Sequence, residues 1–272
     1  ATASVAEGAT AVATLAATDS DTADSGGLTY SITTDDPGSG TQFSVSGTAL
    51  TIAAQDYETP GCGSGSDSLT CVVVLAATDA ANTATAHTIT VTITDANDQA
   101  PAWTTSATAS VAEGATAVAT MAATDSDTAD SGGLTYSITT NDPSGTVFAV
   151  SSTALTMTAQ DYETPGCGSG SDSLTCVVVL AATDAANTAT AHTITVTITD
   201  ANDQAPAWTT SATASVAEGA TAVATLAATD SDTADSGGLT YTITTDDPGS
   251  GTQFSVSGTA LTIAAQNYES PA

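Results

Sequence analysis

Apolar and polar residues alternate along most of this chain, in short segments separated by turn residues. In the segment HTITVTITD, Ile89, Val91 and Ile93 alternate with threonines. Because successive side chains of a strand point to opposite faces, this pattern predicts a strand with one buried and one solvated face. Seven segments of this kind occur in the first repeat: SVAEG, AVATLAATD, LTYSIT, FSVS, ALTIAAQ, LTCVVVLAATD and HTITVTITD. Their number, their threonine and valine content and their turns predict an all-β fold, a seven-stranded Greek-key β-sandwich of immunoglobulin-like type.

The segments recur as long internal repeats. The string ASVAEGATAVAT begins at Ala3, Ala109 and Ala214, a spacing of 106 and then 105 residues. Copies of this length correspond to single domains. We therefore predict one repeat over residues 1–99, a second over 100–204, and a partial third over 205–272 that holds the first five strands.

The charge of the chain excludes several classes of partner. There are 30 acidic residues and no lysine or arginine, which gives a formal net charge of -30, while 41% of the residues are apolar. Nucleic acids and anionic membranes are bound through lysine and arginine, so neither partner is expected. The longest apolar runs fall short of the roughly 20 residues that a spanning helix needs, so membrane insertion is not expected either.

The four cysteines form two equally spaced pairs. Cys62 is followed by Cys71, and Cys167 by Cys176, with a loop rich in glycine and serine inside each pair. A structural zinc ion needs four ligands, and two thiols without a neighbouring histidine do not supply them. Local disulfides are the favoured reading, and they indicate an extracellular or cell-surface location.

The acidic residues concentrate at the ends of predicted strands. In a sandwich whose strands alternate in direction, the end of the first strand, the turn after the fifth and the end of the seventh lie at one pole. The turns after the second and sixth strands lie at the other pole. Acids of one repeat should therefore meet acids of the next: Glu7, Asp56 and Glu58 with Asp125, Asp127 and Asp184, and the segment Asp95, Asn97 and Asp98 between them.

Four motifs in these positions resemble those of cadherin repeats. DANDQAP, at residues 95–101 and 200–206, is similar to the cadherin linker DxNDNxP. VAEG resembles the first-strand glutamate motif, ATDSDTADSGGLTY the AxDxDxGxNGxxxY turn, and QDYE the LDRE or LDYE motif. The resemblance covers nearly the whole chain, and the four motifs occur in the family's order at domain spacing.

The resemblance implies Ca²⁺ as a cofactor, about three ions per linker. The ligands it implies at the first linker are Glu7, Asp56, Glu58, Asn97, Asp98, Asp125, Asp127 and Asp184, with Gln99 and Ser131 giving backbone carbonyls. Those implied at the second linker are Glu113, Asp161, Glu163, Asn202, Asp203, Gln204, Asp230 and Asp232. Gln99 and Ser131 replace the family's asparagines, but any residue provides a carbonyl. The family's ligand role at Asp95 and Asp200 is weaker.

Both ends of the chain carry features of linkers. Asp19, Asp21 and Asp79 form the same set in the first repeat, and Asn267 replaces the aspartate found at positions 56 and 161. Two explanations are compatible with an acid set before which nothing stands and a third repeat of five strands. The sequence is a window of a longer array, or successive copies associate head to tail as a homopolymer.

The remaining signals favour structural roles. Trp103 and Trp208 follow the linkers and are expected to fill the core, and His87 and His192 are expected to be exposed strand residues. The threonine-rich faces are expected to be solvated, with ice binding or O-glycosylation as the alternative. No strained nucleophile motif such as GxSxG occurs, so an enzyme is not expected.

The sequence thus predicts a prokaryotic-type, extracellular structural protein, a calcium-stiffened stalk or filament. The alternative is an adhesin or carbohydrate-binding module of a larger surface protein, with a cell-surface glycan or protein as partner.

Overall fold

The computed structural model describes residues 1–20, 27–35, 41–62, 69–79, 82–84, 86–127, 133–141, 147–167, 174–232, 238–246 and 253–269. Within these ranges every regular element is a β-strand. The first repeat holds β1 (Thr2–Ala6), β2 (Ala11–Thr14), β3 (Thr29–Thr34), β4 (Phe43–Ser46), β5 (Ala49–Ile52), β6 (Thr70–Thr78) and β7 (His87–Thr94). The second holds β8 (Ala102–Trp103), β9 (Thr108–Ala112), β10 (Ala117–Thr120), β11 (Ala123–Thr124), β12 (Thr135–Asn141), β13 (Phe148–Ser151), β14 (Ala154–Met157), β15 (Thr175–Thr183) and β16 (His192–Thr199). The third holds β17 (Ala207–Trp208), β18 (Ala222–Thr225), β19 (Ala228–Thr229), β20 (Phe254–Ser257) and β21 (Ala260–Ile263).

The first repeat is a two-sheet sandwich. One sheet has the strand order β1-β7-β6-β3 and the other β2-β5-β4. β1 runs parallel to β7, with Val5 opposite Ile93, while the other pairings are antiparallel. Buried side chains from both sheets pack together, among them Leu50 and Val91. The predicted all-β sandwich is therefore confirmed, including the alternation of buried isoleucine and valine with threonine along β7.

The second repeat has the same pairing scheme. Its sheets have the orders β12-β15-β16-β9 and β10-β14-β13, and β9 runs parallel to β16 as β1 does to β7. A short extra pair, β8 with β11, places Trp103 opposite Ala123. Matching motifs thus give the same strand order in the two main sheets of the first and second repeats.

By contacts, the chain divides into two compact units. One comprises Ala1–Thr105, Met121–Ser137 and Ala181–His192, and the other Ser106–Thr120, Ile138–Leu180 and Thr193–Ala272. The first unit therefore contains the first repeat, the first linker and the pieces of the second repeat that carry Asp125, Asp127 and Asp184. The second contains the second linker, with Glu113, Glu163 and Asp232. Each linker, with its carboxylates, lies within one unit.

The third repeat differs from the prediction of five strands equivalent to those of the other copies. Its sheet β18-β21-β20 matches β2-β5-β4, but residues 213–217 and 238–246 form no strand. Their counterparts β1 and β3 pair with β7 and β6 in the first repeat. Trp208, expected in the core, is 62% exposed.

Both cysteine pairs form the predicted disulfides. Cys62 is bonded to Cys71 and Cys167 to Cys176, with Cα atoms 5.4 and 5.3 Å apart. All four residues are buried, so each bridge joins the loop before β6 or β15 to the interior of its sandwich. None of the described segments forms a helix able to cross a lipid bilayer.

Candidate metal centre at the linkers

Glu7 is held at the end of β1 by backbone donors from two other segments. Its carboxylate accepts hydrogen bonds of 2.7 Å from the N–H of Tyr57, in the turn after β5, and from the N–H of Ala96, in the linker. Gly8 follows with φ of 70°, a left-handed conformation that glycine adopts without strain. The VAEG motif thus ends a strand and places a buried carboxylate against the linker.

Three groups of carboxylates lie at the first linker, each with ligand atoms within 4.8 Å of one another. They are Glu7 with Asp56 and Glu58, Glu58 with Asp95 and Asp127, and Asp125 with Asp127 and Asp184. Glu58 and Asp127 each belong to two groups, so the three groups form a continuous row. The row joins the turn after β5, the linker and two turns of the second repeat, as strand order predicts.

Several oxygens in this row are buried without a hydrogen-bond donor. Asp127 is fully buried, and its Oδ1 has no partner among the described residues; the same is true of both oxygens of Glu58, of Asp125 Oδ2 and of Asp184 Oδ2. A buried polar atom without a partner costs folding free energy, and a buried charge costs more. The chain has no lysine or arginine to supply a counter-charge here.

The pKa shifts at the first linker follow from this environment. Burial, followed by the charges of Glu7, Asp127 and Asp56, raises the pKa of Glu58 above its ordinary value. Hydrogen bonds lower the pKa of two neighbours: those from Thr59 act on Asp56, and those from the backbone of Asn187 and Ala186 act on Asp184. The row therefore contains one carboxylate that resists ionisation and two that are stabilised as anions.

The second linker repeats the arrangement in the other unit. Glu113 accepts hydrogen bonds of 2.7 Å from Tyr162 N–H and Ala201 N–H. Two carboxylate groups meet the same distance limit, Glu113 with Glu163 and Asp200, and Glu163 with Asp203 and Asp232. Burial raises the pKa of Glu163 and of Asp232, with neighbouring acids adding to the effect. Hydrogen bonds from Thr164 lower the pKa of Asp161.

The other predicted ligands fall as follows. Gln99 and Gln204 donate backbone N–H bonds of 2.9 Å to Asp127 and Asp232. Asn97 accepts hydrogen bonds from Asn187, Asp98 is bonded by its neighbour Gln99, and Asp230 accepts from Asp232 N–H. Asn202, Asp203, Asp19 and Asp79 lie in the described turns, whereas Asp21 and Ser131 lie outside the described residues.

Two residues that the sequence marked as weaker positions lie inside the carboxylate groups. Asp95 is within 4.8 Å of Glu58 and Asp127, and Asp200 is equally close to Glu113 and Glu163. Both are the first letter of DANDQAP and directly follow the last strand of a repeat. That position, at the strand end beside the first-strand glutamate, is the signal that could have identified them.

Trp103, which follows the first linker, belongs to an aromatic cluster in the second repeat. The Trp103 indole N–H donates to the backbone oxygen of Thr190 at 3.0 Å. Its ring stacks on His192 with 4.9 Å between centroids and is tilted against Tyr136 at 5.6 Å. His192 therefore packs against an aromatic ring and not only against solvent.

The chain was compared with known families, curated proteins and solved structures. No family model and no curated protein matches it. Among solved structures it is similar to mouse protocadherin-24 EC1-3, with a TM-score of 0.61 and 20% identity over 98% of this chain and 85% of that one. It is also similar to mouse cadherin-23 EC22-24, with a TM-score of 0.55 and 20% identity over 97% and 84%. A protocadherin gammaB7 EC3-6 cis-dimer gives a TM-score of 0.60 and 22% identity over 88% and 60%.

These likenesses establish the class of fold. The chain is built of tandem cadherin-like β-sandwich repeats, as its motifs indicated. At 20 to 22% identity the likeness is one of fold, and the chemistry of the linkers depends on this chain's own residues.

The donor set at the linkers fits calcium. Ca²⁺ takes six to eight oxygen ligands from carboxylates, amides and backbone carbonyls, and it accepts irregular geometry. The rows supply carboxylates from two repeats and the linker, some shared between groups, and the orphaned oxygens of Glu58 and Asp127 lie inside them. Softer metals prefer thiolate or imidazole, and all four cysteines are in disulfides.

Proposed function

We propose that the linkers bind calcium and that the bound ions hold successive repeats in a fixed orientation, so that the chain is a stiff extracellular rod. The observation that carries this proposal is the row of carboxylates at the first linker, contributed by both repeats and containing buried oxygens without donors. Ions bound there would join the turn after β5 to the turns of the next repeat.

The number of ions follows from charge and grouping. Three groups at the first linker support three ions, whose six positive charges would face eight carboxylates: Glu7, Asp56, Glu58, Asp95, Asp98, Asp125, Asp127 and Asp184. Most of the local repulsion is then cancelled. Sites of extracellular modules bind with dissociation constants of about 0.1 to 1 mM, and we expect this range for the weaker ions.

The ligand roles proposed for single residues follow the groups. Glu58 and Asp127 would bridge adjacent ions, because each already lies in two groups. Glu163 would bridge two ions at the second linker for the same reason. Asn97, Asn202 and the backbone carbonyls of Gln99 and Gln204 are proposed as the neutral oxygen ligands.

Small-angle X-ray scattering tests the mechanical part of the proposal. We expect the spread of chain conformations to narrow and the maximum dimension of the chain to increase as free calcium rises from about 0.01 to 10 mM. This range spans extracellular affinities. Magnesium should not substitute at equal concentration, since it is smaller and requires near-ideal octahedral geometry. Identical scattering in chelator and in calcium contradicts the proposal.

We propose that copies of the chain associate with one another and so form a filament or an adhesive contact. One structural neighbour is described as a cis-dimer. In this chain the third repeat exposes an apolar surface that includes Trp208, Val216, Ile243 and Tyr268. We propose that copies associate head to tail through this repeat. Light scattering after size exclusion, in calcium and over a concentration series, should show species above the monomer mass of 26.3 kDa. A monomer at every concentration contradicts this part.

A further inference from the structure

The turn DAAN occurs twice, at residues 79–82 and 184–187, with the same sequence. In both copies the backbone N–H of the asparagine donates to Oδ1 of the aspartate. The two turns therefore have the same internal hydrogen bond and form a natural comparison. Among the described residues, the second turn contacts a linker, through Asn187 and Asn97.

The asparagine side chains of the two turns have different partners. In the first repeat the side-chain amide of Asn82 contacts the aspartate of the same turn, with Nδ2 3.5 Å from Asp79 Oδ2. In the second repeat the Asn187 amide donates instead to the linker, to the backbone oxygen of Asn97 at 3.3 Å and to Asn97 Oδ1. Asp184 Oδ2 is then buried and has no hydrogen-bond partner among the described residues.

We propose that Asn187 acts as a latch: its side-chain amide holds the first linker against the second repeat, beside the metal centre. Its amide donates to Asn97, and Asp184 Oδ2, which lies near the Asn187 side chain, keeps no hydrogen-bond partner among the described residues and is available to a cation. The same contact fixes the orientation of Asn97, whose amide oxygen accepts the hydrogen bond. Asn187 is thus a positioning residue, since it acts through Asp184 and Asn97. This inference rests on the proposed binding of calcium.

Such a latch makes linker docking and calcium binding mutually reinforcing. A docked linker holds the Asn187 amide on Asn97, and a cation on Asp184 would compete with this amide for the carboxylate and so favour the contact with Asn97. By linkage, each event strengthens the other by the same factor. Groups that orient metal ligands typically change affinity by about 10- to 100-fold when removed.

The test compares N187A with the matched variant N82A in the intact chain. Both substitutions remove the same side chain from the same turn, and both keep the backbone N–H that bonds the aspartate. In chelator, hydrogen exchange of the segment 95–103 should be about 2- to 10-fold faster in N187A than in wild type, because neutral hydrogen bonds contribute at that level. N82A should leave exchange in this segment unchanged.

A third variant, N187D, separates hydrogen bonding from shape. It keeps the size of the side chain and replaces its donors by acceptors, so in chelator the linker should exchange at least as fast as in N187A. If N187D exchanges like wild type, the contact is one of packing and the inference is wrong.

Calcium titration gives the second readout. With wild type binding, N187A should weaken the affinity of the first linker by about 10-fold and N82A should not. Equal affinity of N187A and wild type overturns the latch while leaving calcium binding intact. If wild type binds no calcium, the proposed function fails instead, and faster exchange in chelator would then support only the docking contact.

Discussion

The backbone N–H of Gln99 donates a hydrogen bond of 2.9 Å to Oδ2 of Asp127, which joins the linker to a fully buried carboxylate of the second repeat. The other oxygen of Asp127 has no partner within the described part of the chain, and the carboxylate belongs to two groups, one with Glu58 and Asp95 and one with Asp125 and Asp184. Asp127 thus both holds the linker and forms part of the carboxylate row. The second linker repeats this contact with Gln204 and Asp232.

The substitution D127N should therefore raise the stability of the protein in chelator and lower it in calcium. Asparagine keeps an acceptor for Gln99 and removes a buried negative charge, so in chelator the melting temperature should rise. In calcium it should fall below that of wild type, because a shared ligand is lost. Calorimetry with and without calcium measures both. A fall in chelator as well as in calcium contradicts a purely electrostatic role for Asp127.

Stability without calcium should depend on pH through the carboxylates of raised pKa. For Glu58, Glu163 and Asp232 the folded protein binds a proton more readily than the unfolded chain. Stability should therefore increase as pH falls from about 7 towards the range just above their ordinary values. At still lower pH it should decrease, because Asp56, Asp161 and Asp184 have lowered pKa values and lose their hydrogen-bond stabilisation on protonation.

Thermal melts over this pH range in chelator check the expected maximum at mildly acidic pH. In the double variant E58Q/E163Q, the melting temperature in chelator should rise less as the pH falls from about 7 to mildly acidic values. In calcium the trend should reverse, with acidification releasing the ions. A stability that falls steadily from neutral pH in chelator contradicts the account.

Two of the first-strand glutamates, Glu113 and Glu218, should differ in how much they contribute to stability. Glu113 accepts two backbone hydrogen bonds of 2.7 Å, and glutamine keeps only one acceptor oxygen while adding a donor. E113Q should destabilise the fold by about 1 to 3 kcal/mol, the cost of leaving a buried donor unsatisfied. The matched control is E218Q, because Glu218 has the same motif but is exposed; its effect should stay within about 0.5 kcal/mol. Urea unfolding in chelator measures both, and equal effects would contradict the assigned role of Glu113.

The two tryptophans should respond differently to substitution. Trp103 stacks on His192 and donates to Thr190, so W103A should cost about 2 to 4 kcal/mol, near the range for large-to-small changes. Trp208 is 62% exposed, and W208A should cost less than about 1 kcal/mol. Denaturation followed by circular dichroism distinguishes the two. A large effect of W208A in the monomer would show that the third repeat is packed differently.

Reduction of the disulfides should weaken the sandwiches without abolishing them. Each bridge closes a short loop, with a sequence separation of 9, and loops of this size contribute about 2 to 3 kcal/mol. The double substitution C62A/C71A should lower stability by this amount and leave the first linker's affinity for calcium unchanged. Loss of calcium binding in this variant would contradict the separation of the two features.

The strands and the meeting of acids at the poles could be predicted because both depend on local pattern and strand order. The alternation in β7 and the positions of Glu7 and Glu58 at strand ends are examples. The third repeat could not be predicted in this way. The sequence TASVA forms β1 and β9, yet the same five letters at residues 213–217 form no strand. A strand requires a partner, and pairing is not encoded in local propensity.

The finer contacts of the centre were also beyond the sequence. Asn82 and Asn187 stand in identical turns, and only the linker beside Asn187 decides where its amide points. Asp95 and Asp200, in contrast, directly follow β7 and β16, and this position marks them in the sequence as members of the carboxylate groups.

The most direct test of the central claim is a count of bound calcium by equilibrium dialysis. With competing monovalent salt near physiological strength to suppress diffuse binding, wild type should retain about three ions at each linker near 10 mM calcium. The double variant D127N/D232N should lose most of them. If wild type retains fewer than about one ion, or the double variant retains as many as wild type, the linkers are not the calcium sites proposed here.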